Sequence, residues 1–113
     1  MPVKPALPEL CPKFHAAVEL IGRRWCGAII HVLMDGRLRY SDLKGAIPDI
    51  SDRMLSERLK ELEAEGILTR IVTPDTPVRV EYELTEKGRA LEGPLRTLGL
   101  WATAWVNPRT TPA

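Results

Sequence analysis

Apolar residues recur along this chain first with a helical and then with an alternating period, and the changes of period divide it into elements. Leu10, Phe14, Ala17, Val18 and Ile21 fall at helical steps, with Pro12 acceptable in a first turn and Gly22 able to close the helix as a left-handed cap. Trp25, Ala28, Ile29, Val32 and Leu33 form a second stripe up to Gly36. The added Ile30 and Met34 leave that helix little wet surface, so it is predicted to be the most buried. Ser41-Asp42 reads as an N-cap with an acid on the positive end of the helix dipole, opening a short helix through Leu43 and Ile47 that Pro48 and Asp49 break. Ser51-Asp52 repeats the signal, and Leu55, Leu59 and Leu62, with Met54 beside them, carry a longer helix to a Gly66 cap. Two capped helices joined by a few residues have the spacing of a helix-turn-helix.

After Gly66 the period becomes that of a strand. Val78, Val80, Tyr82 and Leu84 alternate with Arg79, Glu81 and Glu83; residues 68–72 are the expected antiparallel partner and 73–77 the hairpin tip. A last helix begins at Thr85-Glu86 and carries Leu91, Leu95, Leu98, Trp101 or Ala102, and Trp105, with a kink or restart expected at Gly93-Pro94. Prolines and polar residues crowd both ends, so residues 1–9 and 106–113 are expected as irregular tails around one domain at 10–105. A helix-turn-helix followed at once by a hairpin is the layout of a winged helix. The expected fold class is therefore α+β, mainly helical: a winged helix-turn-helix with flanking N- and C-terminal helices.

Composition narrows the function classes. A chain of 113 residues with 44% hydrophobic content suits a single self-supporting globule. Sixteen Lys and Arg against fifteen Asp and Glu leave a formal charge of +1, so any basic surface must come from sorting charges onto faces. Cys11 and Cys26 are too few for a disulfide scaffold, no apolar run approaches a membrane span, and residues 1–9 lack a signal peptide's apolar region. A soluble cytoplasmic protein without a membrane partner is expected. With no Gly-rich phosphate loop, no Ser-His-Asp set from two histidines and no dense acid cluster, an enzyme is not expected and no cofactor is assigned.

Longer words of the sequence stand in one register: Cys11-Pro12, Gly22-Arg23-Arg24-Trp25, Asp35-Gly36 followed by Arg39-Tyr40, and Ile50-Ser51-Asp52-Arg53-Met54-Leu55 through Leu59 and Leu62 to Glu65-Gly66. Pro74, Pro77, Arg79-Val80-Glu81-Tyr82, Leu84-Thr85 and Gly88 continue them. In this combination the chain resembles the HxlR family of bacterial winged helix-turn-helix regulators, within the MarR-like group, over nearly the whole of its folded part. The resemblance implies a dimeric, cytoplasmic, DNA-binding transcription factor, often one answering oxidants or electrophiles through a cysteine near the N-terminus. The chain departs from the family where Arg23-Arg24 replaces Gly-Lys, where Val78 replaces a second proline, and where Cys26 stands at a frequent lysine.

In that layout the helix after Ser51 turns its leucines inward and leaves Ser51, Asp52, Arg53, Ser56, Glu57 and Lys60 outward, and its first turns meet base edges in a major groove. Arg53 is the expected bidentate partner of a guanine, and Ser56 permits close approach. Arg39, Tyr40, Ser41 and Lys44 surround the preceding helix start and are expected to position phosphates. Arg79, with Arg70 as a second choice, serves the wing, while Arg58 either fixes a phosphate or pairs with an acid. A winged-helix protein-interaction module is the alternative; it predicts weak salt dependence and indifference to Arg53→Ala.

A winged unit needs only part of the apolar surface present. Phe14, Val18 and Ile21, with Leu91, Leu95, Leu98, Trp101 and Trp105, are expected in a two-fold interface, the alternative being that they cover their own core. Such a homodimer presents two recognition helices about 34 Å apart and so calls for a pseudo-palindromic operator, with repression as the expected sense of regulation. Cys11, at a helix start near Lys13, is the candidate redox-sensing residue, with an inert thiol as the other reading. Cys26 is expected to be buried and inert. Cys11 and His15 share a helix face, but Cys26 and His31 point apart, so no metal is assigned, and a small-molecule or metal-responsive regulator stays as an alternative.

Overall fold

The computed structural model describes residues 9–108, so residues 1–8 and 109–113 of the expected tails lie outside the described residues. Among the described residues six helices and three strands follow in the order α1 (Pro12–Ile21), α2 (Cys26–Leu33), β1 (Leu38–Arg39), α3 (Tyr40–Ala46), α4 (Asp52–Ala64), β2 (Leu68–Thr73), β3 (Arg79–Leu84), α5 (Glu86–Arg89) and α6 (Glu92–Trp105). This is the expected winged helix-turn-helix, with α3 and α4 as the helix pair and β2–β3 as the wing.

One aliphatic cluster organises it. Cys26, Ile29, Ile30 and Leu33 of α2 are buried with Leu43 of α3, Leu55, Leu59 and Leu62 of α4, and Ile47, Ile50, Ile67, Leu68 and Leu84 from the connections and sheet. The leucines of α4 recur at four and three residues, so a single face of that helix is spent on the core. Ser51 caps it as the sequence predicts, its Oγ accepting from the Met54 N–H at 3.1 Å. Thr85 does the same for α5, accepting from the Gly88 N–H at 3.1 Å.

Several boundaries differ from expectation for identifiable reasons. The sheet has three strands in the order β1-β3-β2, not two, because Leu38 pairs with Tyr82 and Arg39 with Glu81. A two-residue strand is too short to show an alternating pattern. Entering straight from that strand, α3 begins at Tyr40 with Arg39, not Ser41, at its N-cap, and Asp42 Oδ2 accepts the Arg39 N–H at 3.0 Å. Gly22 keeps a right-handed φ of −74°, and Trp25 takes the left-handed conformation at φ 75°. For an L-residue that costs about 1–2 kcal/mol; packing of the Trp25 ring on the core, with the Arg24 guanidinium 5.2 Å from its centroid, offsets it. The last helix breaks at Ala90-Leu91, ahead of the expected site, and Pro94 then falls in the first turn of α6, where its missing N–H is no loss.

The outer helices leave their apolar stripes uncovered. Neither α1 nor α6 has a buried residue: Phe14 (63% exposed), Val18, Leu98, Trp101 and Trp105 (76% exposed) face solvent in the single chain, and so does Leu100. Leu91 and Leu95 are half-buried against the chain's own core, and Ile21 is half-buried too. The expected interface set is thus divided, with the start of α6 docked inward and the remainder of both stripes open.

Close packing makes one glycine indispensable. A Cβ on Gly88 would stand 2.1 Å from the Ile67 carbonyl oxygen and 3.1 Å from Leu84 Cδ2. Gly88→Ala is expected to cost about 1–3 kcal/mol or more, measured as a lower urea midpoint at an unchanged slope.

Candidate nucleic-acid interface

The capped start of α4 places its first turn at the surface. Ser51, Asp52, Arg53, Glu57 and Lys60 are exposed and Ser56 is half-buried, while the intervening leucines are enclosed. Arg53 is 89% exposed, with Nε 3.1 Å from Glu57 Oε1. An exposed pair of this kind is worth a few tenths of a kcal/mol, roughly, so the guanidinium exchanges its partner readily.

Two side chains of α3 brace this turn from behind. The Tyr40 hydroxyl is 3.0 Å from Asp52 Oδ1 and 3.1 Å from the Asp52 carbonyl oxygen, and Lys44 Nζ donates to the Ile50 carbonyl. A hydrogen bond with Ser56 pulls the Tyr40 phenol down, but burial and the neighbouring Asp52 outweigh it, and the group is held above the ordinary tyrosine value as a neutral donor. Both residues stand at the anticipated face, yet their polar ends are engaged inside the helix-turn-helix. No spacing in the sequence signals a bond between residues twelve apart on different helices.

The wing closes on the same region. Arg39, Tyr40 and Ser41 form one wall of a cavity of about 660 Å³ whose other wall is the hairpin from Asp75 to Val80. Tyr40 also borders a second cavity of about 340 Å³, with Ser56 and Lys60 of α4 and Arg70 and Tyr82 of the sheet. Tyr40 therefore stands where β1, α3, α4 and the wing converge. Arg79 is 3.3 Å from Asp75 across the wing tip, a contact made by the turn, whereas Glu57 stands at the helical spacing of four from Arg53 that the sequence shows. Arg58 takes the second of its two expected roles, with Nη1 on Glu61 at 2.9 Å and Nε donating to the Arg24 carbonyl oxygen at 2.9 Å.

The cysteines differ as anticipated. Cys11 is exposed at the N-cap of α1 and Cys26 is buried, both as free thiols. His15 Nε2 lies 3.1 Å from Glu19, and among the described residues no group of three or more His, Cys, Asp or Glu side chains could hold a metal ion. No helix among the described residues is long and apolar enough to cross a membrane.

Comparison with known proteins places this arrangement. Residues 20–110 match the model of the HxlR-like helix-turn-helix family. The HTH-type transcriptional regulator YodB of Bacillus subtilis is 50% identical over 102 residues, covering 90% of this chain and 91% of the relative. The regulator YvaP of the same organism is 49% identical over 100 residues, covering 88% and 93%. Reduced YodB superposes with a TM-score of 0.81 over 89% of this chain and 99% of its own, at 50% identity. Its diamide-treated form, at 50% identity over 88% and 98%, and its quinone-bound form, at 47% over 85% and 100%, each give 0.75. The redox regulator HypR in its oxidised form gives 0.79 at 36% identity, over 87% and 100%.

Burial pushes the Cys26 thiol up, with the nearby Arg58 charge only partly opposing it. A thiol that holds its proton to higher pH folded than unfolded gives stability that is complete below the unfolded value and lost as pH rises through the folded one. From about pH 8 to 10 the unfolding free energy of the parent is expected to fall more than that of Cys26→Ala, by urea titration across that range.

Proposed function

We propose that this chain, which belongs to the HxlR-like helix-turn-helix family of DNA-binding transcriptional regulators, works in the cytoplasm as a homodimeric repressor of a pseudo-palindromic operator and senses oxidants or electrophiles through Cys11. Family members of this kind are DNA-binding regulators, not enzymes. The observation that carries the reading is the convergence at Tyr40 of the braced start of α4 with the wall of the wing. It leaves Arg53 and Ser56 to meet base edges, with Ser51 and Asp52 fixing the helix start. Arg39, Ser41 and Lys60 lie along the phosphates, with Lys44 holding the α4 start through the Ile50 carbonyl and Arg79 on the wing side.

Dimerisation is supported by the uncovered stripes. Phe14 and Val18 of α1 and Leu98, Trp101 and Trp105 of α6 are large apolar side chains left exposed in a single copy, and a second copy would cover them. Ile21, Leu91 and Leu95, half-buried already, set the base on which those stripes stand.

Cys11 suits a sensor because it is exposed, and because it opens the helix bearing Phe14 and Val18. Addition to an electrophile such as a quinone consumes one thiolate; disulfide formation removes two electrons from two thiols, so Cys11 needs a second thiol from a partner or a small molecule. The diamide-treated and quinone-bound forms of YodB support both chemistries as candidates. Modification there perturbs the dimer contact and with it the spacing of the two reading helices.

Fluorescence anisotropy with the DNA upstream of the protein's own coding sequence tests this. Reduced protein is expected to bind with an affinity that drops steeply between about 50 and 200 mM salt. Arg53→Ala should weaken specific binding by about 1–3 kcal/mol. Diamide should release the parent but not Cys11→Ser; equal release of both removes Cys11 from the mechanism. In sedimentation equilibrium, Trp101→Ser with Trp105→Ser is expected to give monomers, and a persisting dimer would refute the assigned interface.

A further inference from the structure

Beyond its reading face, α4 carries a second polar cluster on its C-terminal half. Arg58 is only 16% exposed; its Nη1 spans the two carboxylate oxygens of Glu61 at 3.1 and 2.9 Å, and its Nε donates to the Arg24 carbonyl oxygen at 2.9 Å. Glu61 also takes Arg23 Nη1 at 3.2 Å. Arg23 and Arg24 form the turn between α1 and α2, immediately before Trp25, the one non-glycine residue with positive φ among those described. A helix of the DNA-reading pair is thereby tied to the point from which α1 departs. The rest of α1 has little other hold on the body: it buries no residue, and only Leu20 at its end packs on the core.

We propose that Arg58 is a positioning residue that couples α1 to the reading helix, so that DNA held by α4 restrains the α1–α2 turn and displacement of α1 shifts α4. This rests on α4 being the reading helix. The planar guanidinium suits the task because it addresses a carboxylate and a carbonyl at once from a fixed fork, which an ammonium group cannot reproduce. Coupling of this kind is reciprocal, so the effect of DNA on the turn measures the effect of the turn on DNA binding.

Cys26 is a built-in reporter. It is the first residue of α2, fully buried beside this turn and within the field of Arg58, Glu61 and Arg23. A maleimide reaches it only when the turn lifts. The full-length Cys11→Ser protein, labelled with and without a saturating duplex selected from a random pool, reads that opening. Labelling is expected to slow by about tenfold or more when DNA binds. Arg58→Met should label about tenfold faster than the parent and lose most of the slowing by DNA, with Arg58→Lys between them. Glu61→Gln, which keeps the Arg24 bond, gives a milder version should Arg58→Met fail to fold. If Arg58→Met labels faster yet DNA slows it by the parent's ratio, Arg58 is structural only and the proposal falls. It also falls if DNA leaves the parent's labelling unchanged. Affinity of Arg53→Ala, measured alongside, separates that failure from a wrong reading helix: undiminished specific binding would count against α4 itself.

Discussion

Burial of Leu55, Leu59 and Leu62 in one cluster with Ile29, Ile30 and Leu33 fixes which way α4 faces. A helix with three such leucines on one side has no freedom to roll, since rotating any of them outward exposes a full aliphatic side chain at about 1.5–3 kcal/mol. The opposite side, with Arg53, Ser56 and Lys60, is therefore presented as a consequence of the core. Ser51 fixes where the helix begins, and Tyr40 and Lys44 fix how its first turn sits on α3. In the proposed mode of recognition this is a rigid surface set by packing behind it, with Arg53 as its movable tip.

The same core leaves α1 and the far end of α6 outside it. Its aliphatic residues come from α2, α3, α4 and the connections to the sheet, and that packet closes without α1 or the far end of α6. Those helices are amphipathic and extend past it, and in the proposed dimer their exposed stripes are the seat of the second copy. In the proposed mechanism Cys11 sits where a small chemical change is felt by such a contact, at the end of a helix anchored mainly by its other end. The Arg58 cluster stands between that helix and the reading head.

Much of this was legible from residue order. The helical stripes, the Ser51 cap, the alternating residues of β3 and the burial of Cys26 are local patterns, and each carries its own signal. The two-residue β1 was not legible because its partner is more than forty residues away and its length is below any period. The left-handed turn shows the same limit: Gly22 is the residue best suited to it, yet packing of the Trp25 ring places it three residues later. Within the site, the positions of Arg53 and Arg79 followed from the winged layout, whereas the bonds of Tyr40 and Lys44 needed the crossing of two helices. For Arg58 the sequence left two roles open, and its pairing with the Glu61 carboxylate decided between them, while the added bond to the Arg24 carbonyl carries no signal in residue order.

Two copies joined through α1 and α6, each setting α4 into a major groove, form the central claim. Hydroxyl-radical footprinting of the reduced protein on a selected duplex tests it most directly. Two protected blocks related by two-fold symmetry and centred about 10 bp apart, or a multiple of that spacing, are predicted. A single block at full affinity, or protection without symmetry, would contradict it.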